Sequence, residues 1–225
     1  KHMFQVMRLK EDDEVTLVFD DGIKRLARVL DVEARQLELV EELADNVELP
    51  IQVTIASGFP KGDKLEFITQ KVTELGASQI WAFPADWSVA KWDGKKLDKK
   101  VEKLEKIALG AAEQSKRNRV PEVTLFEKKV DFLAQLEQFD RIVVAYEESA
   151  KEGETAALIQ SLTGLEAGSQ LLFIFGPEGG LSPAEIESFE AKGAVLAGLG
   201  PRILRAETAP LYALSAVSVV TELMN

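Results

Sequence analysis

The spacing of apolar and polar positions changes period along the chain, and each change marks an element. Residues 11–40 carry the short runs EVTLVFD, KRLARVLDV and RQLELVE, with Asp21-Gly22 between the first two. Period-two alternation around an Asp-Gly pair predicts antiparallel strands joined by a hairpin, hence a small β-barrel or sheet. Residues 45–50 punctuate it. From Ile51 the chain reads IQVTIAS, then GFPKGDK, then LEFITQKVTELGA, a strand followed by a helix. Asp63 and Glu66 have capping-box spacing, Gly76 suits a helix stop, and 79–83 is the next strand, so a βα unit enters a parallel sheet. A helix over 96–116 is predicted from a stripe of Val101, Leu104, Ala108, Ala111 and Ser115. A short helix at 131–138, a buried strand at 141–146 and a helix at 155–162 follow. The last helix, 208–224, is apolar or small on nearly every face, as expected of deep packing or of a subunit interface.

The most informative stretch is 171–209, LLFIFGPEGGLSPAEIESFEAKGAVLAGLGPRILRAETA. Its opening run is continuously apolar and stops at Gly176-Pro177, the pattern of a strand covered on both faces, which delivers ligands to its carboxyl end. Ser182, Pro183 and Glu185 form a capping box with proline at the first helical position. Gly176, Gly179 and Gly180 allow a ligand close to the backbone, although a tight turn alone accounts for them equally well. GPEGG has neither the GK[ST] ending of a P-loop nor GxGxxG spacing. The pattern therefore divides the chain into an N-terminal β module, 1–49, and an α/β domain, 50–225.

Composition narrows the chemistry. The 225 residues include no cysteine and one histidine, His2, which excludes thiolate chemistry and disulfides and leaves no basis for a histidine triad. No apolar run is long enough to span a bilayer and no signal-peptide pattern opens the sequence, so a cytoplasmic protein without a membrane partner or a metal is expected. The opening KHMFQVMRLK lacks an initiator methionine at position 1, and an upstream piece is expected. Net charge is −11, which opposes nonspecific nucleic-acid binding. Lysines nevertheless cluster in KWDGKKLDKKVEKLEK, and SKRNR follows; with acids interleaved, the first cluster is read as a solvated helix face.

GPEGGLSPAEIE followed by LGPRILRAETAPLYAL resembles the ribosomal-RNA uracil-N3 methyltransferase family of the SPOUT class. HMFQVMRLKEDDEV, PKGDKLEFITQKVTELGA and AAEQSKRNRVPEV resemble its other segments, so the likeness spans nearly the whole chain. The resemblance implies an α/β SPOUT domain with a C-terminal trefoil knot, preceded by a PUA-like β-barrel, acting as a homodimer. It implies S-adenosylmethionine as cofactor, held by Phe175, Gly176, Glu178, Gly179, Gly180, Leu199, Gly200, Ile203, Leu204 and Arg205. The substrate it implies is a uridine of 16S ribosomal RNA in the small ribosomal subunit. Ala206 stands where the family commonly has threonine, and Pro201 falls at a variable position.

Methyl transfer to N3 of uracil needs a base or stabilisation of the uracil anion, because the protonated nitrogen is a poor nucleophile. Arg205 and Glu207 are the catalytic candidates; a salt bridge between them is the plainer role for Glu207. For RNA the candidates are Arg117 and Arg119 with Glu113 and Gln114 at the helix end, and Arg8 on the β module. Charge compensation at a helix C-terminus explains Arg117 as well. Trp81, Trp87 and Trp92 can stack bases, core packing being the better reading of Trp81. A 2′-O-ribose methyltransferase and a non-catalytic RNA-binding protein are the alternative functions.

Overall fold

The structure, a computed structural model, describes residues 8–146 and 157–224. The chain separates into two compact units. One extends to Glu48 and takes in Lys116–Arg119; the other comprises Leu49–Ser115 and Val120 onward.

In the first unit, β1 (Glu14–Val18), β2 (Lys24–Asp31) and β3 (Gln36–Leu43) form an antiparallel sheet in chain order. The predicted hairpin turn is present. The Asp21 carboxylate accepts from the Ile23 N–H at 2.9 Å, and Gly22 takes φ +73°, which a Cβ would oppose. Ala27 and Val29 are fully buried, and buried Lys24 pairs with Asp45 at 2.6 Å. The segment Lys116–Arg119, expected on the α/β domain, packs into this unit through Asn118. Its amide donates to the carbonyls of Gly22 (3.0 Å) and Asp45 (3.2 Å) and accepts from the Val47 N–H.

The second unit is a six-stranded, wholly parallel sheet built from β4 (Gln52–Gly58), β5 (Gln79–Phe83), β6 (Glu122–Leu125), β7 (Arg141–Ala145), β8 (Gln170–Phe175) and β9 (Val195–Ala197). Its order is β6-β5-β4-β8-β7-β9. The helices are α1 (Lys64–Glu74), α2 (Gly94–Gln114), α3 (Lys129–Ala134), α4 (Ala157–Leu162), α5 (Pro183–Glu190) and α6 (Ala209–Ser218), which continues as a π-helical turn to Leu223. Residues 155–156 of the predicted fourth helix lie outside the described residues. The predicted helix over 131–138 is α3 followed by a 3₁₀ turn at Leu136–Gln138.

Both faces of the sheet are covered, which explains the unbroken apolar run of β8. Leu171, Phe173 and Phe175 enter one core with α1, α2, α4 and α6, while Leu172 and Ile174 enter the other with Phe132, Ile186 and Phe189. Adjacent side chains on a strand point to opposite faces, so a strand buried twice needs every position apolar. Trp81 lies in the second core, edge-on to Phe126 and Phe139, and Trp92 packs on Phe59, so neither is open to a base. One capping box holds and the other does not. Ser182 and Glu185 form both reciprocal bonds, whereas Asp63 makes no side-chain cap, its partner Glu66 being engaged by Lys100 and Lys103 of α2. Among the described residues no helix is long and apolar enough to cross a membrane, and no group of three or more acids and histidines is placed to hold a metal.

Candidate active site

Strand order reverses between β4 and β8, because the chain builds outward from β4 to β6 on one side and places β8, β7 and β9 on the other. In parallel sheets the crevice outside the carboxyl ends at such a reversal is the usual ligand site. Here three loops meet. A Cβ on Gly58, the last residue of β4, would lie 2.5 Å from Pro177 Cδ and 2.9 Å from Ala85 Cβ. A Cβ on Gly176 would lie 2.7 Å from the Gly180 carbonyl carbon, so the GPEGG loop folds against its own backbone.

A polar network fixes that loop from behind. Ser182 Oγ donates to Asp86 at 2.6 Å, the Asp86 N–H donates to Glu185 at 2.9 Å, and Lys129 reaches both carboxylates. Glu185 is almost fully buried, so its pairing with Lys129 and the capping box is what makes a charge tolerable there. The Lys129 ammonium and the Ser182 hydroxyl hold the Asp86 carboxyl below the usual carboxylate range. Trp87 lies against this loop, 3.1 Å from the Cβ position of Gly179, with half of its surface exposed. Of the three tryptophans it is the one open to a base.

The front of the crevice carries Lys64, Glu178 and Glu207. Lys64 Nζ is 3.0 Å from Glu178 and 3.1 Å from Glu207 Oε2, so this lysine, at the first turn of α1, ties the GPEGG loop to the 198–208 loop. Glu178 also accepts from the Lys61 N–H at 3.0 Å. Burial pushes both carboxyls up, but backbone N–H groups and the Lys64 ammonium outweigh it and hold them below the ordinary glutamate value. The two carboxylates in turn raise Lys64. Glu207 Oε2 is buried and has no aligned hydrogen bond among the described residues, so its contact with Lys64 is an ion pair by proximity. Single charged residues such as Lys64, Asp86 and Lys129 gave no sequence signal. Only their long-range partners mark them.

Arg205 is 82% exposed, and its guanidinium is 3.9 Å from Glu207, too far for a hydrogen bond. Its carbonyl instead accepts from the N–H groups of Thr208 and Ala209 at the start of α6. The side chain is thus presented to solvent from a fixed backbone. Leu199 packs partly against the core, Leu204 is half-buried, Ile203 is exposed, and Gly200 takes φ +87° close to the Tyr212 hydroxyl.

Four of the nucleic-acid candidates are on the surface. Arg8, Glu113, Gln114 and Arg119 are exposed. Arg117 needs correction: its side chain is 3% exposed and its guanidinium is paired with Glu48, which also accepts from the N–H groups of Asn118 and Arg119. It braces the first unit instead of facing RNA.

The residues present fit S-adenosylmethionine. One lysine, one exposed arginine and two ionised glutamates leave the crevice balanced in charge, with acids to meet the sulfonium and ammonium and cations to meet the carboxylate of a ligand that carries all three. The 198–204 loop offers an adenine both backbone groups and apolar side chains. The buried, unbonded oxygen of Glu207 is an acceptor with capacity to spare.

Comparison with known proteins agrees. Residues 47–218 match the RNA methyltransferase domain family, and residues 1–42 match the RNA methyltransferase PUA domain. The chain is 49% identical to ribosomal RNA small subunit methyltransferase E of Bacillus subtilis, over 100% of its own length and 88% of that protein's. Among solved structures, a ribosomal RNA small subunit methyltransferase E from Neisseria gonorrhoeae bound to S-adenosyl methionine superposes with a TM-score of 0.82 at 26% identity, covering 97% of this chain and 88% of that one. A putative methyltransferase from Legionella pneumophila in complex with the same cofactor gives 0.80 at 27% identity, with 97% and 88% coverage. The chain belongs to the RNA methyltransferase family whose named members include ribosomal RNA small subunit methyltransferase E.

Proposed function

We propose that the protein transfers a methyl group from S-adenosylmethionine to N3 of a uridine in 16S ribosomal RNA, acting on the small ribosomal subunit in the cytoplasm as a homodimer. The observation that carries the reading is the pairing of a glycine loop with no phosphate signature and a second loop, joined through Lys64, at the strand-order reversal. Bound there, the cofactor supplies an electrophilic methyl. Phe175, Gly176, Glu178, Gly179 and Gly180 shape one wall of its site, and Leu199, Gly200, Ile203 and Leu204 the other. Arg205, expected from the resemblance to hold the cofactor as well, belongs to that second loop through its backbone, its exposed side chain being left for the substrate. The trefoil knot expected from the resemblance is proposed for the segment that carries these two loops. Exposed Tyr212, Val219 and Leu223 on and beyond α6 give a second copy an apolar face to cover.

Arg205 stabilises the negative charge that develops on uracil as N3 loses its proton. Glu207, held below its ordinary pKa, is a weak base at neutral pH, so its part is to position Lys64 and limit where Arg205 can swing. Arg119, Gln114, Glu113 and Arg8 are left as RNA contacts; Arg117 is not.

Two outcomes test this. Because the overall charge of −11 opposes free polyanions, recognition rests on an assembled target, and small ribosomal subunits will take up about tenfold more methyl than protein-free 16S RNA. Equal uptake removes that claim. The product will stop reverse transcriptase at one uridine; read-through would indicate the ribose hydroxyl instead.

Cofactor affinity should also show a particular pH dependence. Glu178 and Glu207 have lowered values in the folded protein, so both stay ionised in the free protein at and above the ordinary glutamate pKa of about 4.3, and their attraction for a cationic cofactor is lost only as pH falls through the values beneath it. Calorimetry should find affinity flat from neutrality down to about pH 5. Lys64→Met should move the decline upward, toward the ordinary value. An early fall in the unsubstituted protein would contradict the ion-pair geometry.

A further inference from the structure

The lysine cluster read from the sequence as a solvated face is not mixed. Between Gly94 and Lys106, α2 carries Lys95, Lys96, Lys99, Lys100, Lys103 and Lys106, and at 3.6 residues per turn all six fall within an arc of about 140°. Asp98, Glu102 and Glu105 fall together on the adjoining arc, and Leu104 and Ala108 face the core. A face that is merely soluble gains from alternating signs, which support one another at i, i+4. Acids border one side of the stripe, Glu102 standing four residues before Lys106, but within it like charges are stacked at i, i+4 in Lys95, Lys99 and Lys103 and in Lys96 and Lys100, an arrangement that costs the helix stability. Lys95 and Lys96 also occupy its first turn, which has no acidic residue and where the helix dipole disfavours cations.

The stripe is open to solvent. Five of the lysines surround a hollow of about 520 Å³ with Glu66 of α1 on its rim. Glu66 takes Lys103 at 2.6 Å and approaches Lys100 at 3.7 Å, and Lys100 also lies 4.5 Å above the Trp92 ring. Lys95, Lys99 and Lys106 are exposed and make no ion pair among the described residues. Glu66 is two residues beyond Lys64, which joins the two loops of the active site. Lys64 and Glu66 point to different sides of α1, but α2 is entered from the carboxyl end of β5 through the 84–93 loop, whose Trp87 lies against Gly179. The stripe therefore begins at the edge of the sheet that carries the crevice and runs along α2 for roughly 16 Å, enough to meet several successive phosphates.

We infer that the lysine stripe of α2 is a second nucleic-acid contact that holds the sugar-phosphate backbone of ribosomal RNA flanking the target. It rests on the proposed methylation of the small subunit for the identity of the RNA, and on the geometry above for the contact. Phosphates relieve the repulsion between stacked lysines, and a local stripe lets a protein of net charge −11 attract RNA beside its active site while repelling it elsewhere.

The test uses the whole protein carrying Lys95→Gln, Lys99→Gln and Lys106→Gln together. Glutamine keeps helix propensity, so circular dichroism and cofactor affinity should match the unsubstituted protein. Filter binding to purified small ribosomal subunits, without cofactor, should weaken about 10- to 100-fold at moderate salt, and the slope of log affinity against log salt should flatten by about two. A companion variant, Asp98→Asn with Glu102→Gln and Glu105→Gln, should bind more tightly. Unchanged affinity and slope in the lysine variant overturn the proposal. Weakened binding with an unchanged slope also overturns it, since that would mark a protein contact. Subunits that bind in this salt-dependent way but receive no methyl would instead refute the proposed function and leave the stripe standing.

Discussion

Gly176→Ala will bind S-adenosylmethionine at least about 30-fold more weakly than the unsubstituted protein, a loss of about 2 kcal/mol. The reason is a backbone clash that no rotamer change relieves. The added methyl would sit 2.7 Å from the Gly180 carbonyl carbon, 2.9 Å from its Cα and 3.1 Å from its oxygen. Gly180 cannot give way easily: its N–H donates to the Pro177 carbonyl at 2.9 Å, it holds φ +80°, and Ser182 behind it is bound to Asp86 and Glu185. Pro177 in turn fills the space left by Gly58. The loop must therefore open, and the opening displaces Glu178 from Lys64. Gly110→Ala is the matched control. Gly110 lies inside α2 with nothing within 4 Å of its Cβ position, so that change should leave affinity intact and stabilise the fold by up to about 1 kcal/mol. Calorimetry and thermal melts on the two variants decide the matter, and wild-type affinity in Gly176→Ala would show that the turn, not the cofactor, explains the glycines.

This loop also shows why some of the site was legible in sequence and some was not. Leu171 to Phe175 could be placed because a strand covered on both faces has no choice but to be apolar throughout, and the Ser182 box because both its partners are three residues apart. The same spacing at Asp63 misleads: the Glu66 carboxylate finds Lys103, 37 residues away, and its N–H bonds the Asp63 carbonyl, so a tertiary ion pair takes the group a capping box would use. Arg117 misleads in the same manner, its partner Glu48 lying 69 residues back. Strand β6 went unmarked because only Val123 and Leu125 of its four residues are buried, too short a run to carry a period. Lys64, Asp86 and Lys129 are individually ordinary. They become a site only when the order β4-β8 brings their loops together, and partners 43 residues away and more leave no local trace.

Arg205→Ala will lower kcat by about 100- to 1000-fold while changing cofactor affinity by no more than about threefold. Its exposure separates the two effects. With 82% of the side chain in solvent and no hydrogen bond to Glu207, truncation removes no packing and leaves no buried charge unpaired, so the folded protein and its cofactor loops should be unchanged. What is lost is a cation able to meet the uracil anion, an interaction that strengthens only as the N3 proton departs and that therefore appears in kcat and not in KM. Arg205→Lys should recover part of the rate, since the charge is kept but the forked donor geometry is not. Glu207→Gln should cost less, about tenfold, because its neutral amide still occupies the place beside Lys64 but no longer restrains it by charge. The comparison is sharp because the two residues exchange roles under the rival assignment. Were Glu207 the proton acceptor, its substitution would cost more than that of Arg205 and would remove the acidic limb of the pH-rate profile. Single-turnover methyl transfer to small ribosomal subunits, run across pH with both variants, distinguishes an anion-stabilising Arg205 from a basic Glu207.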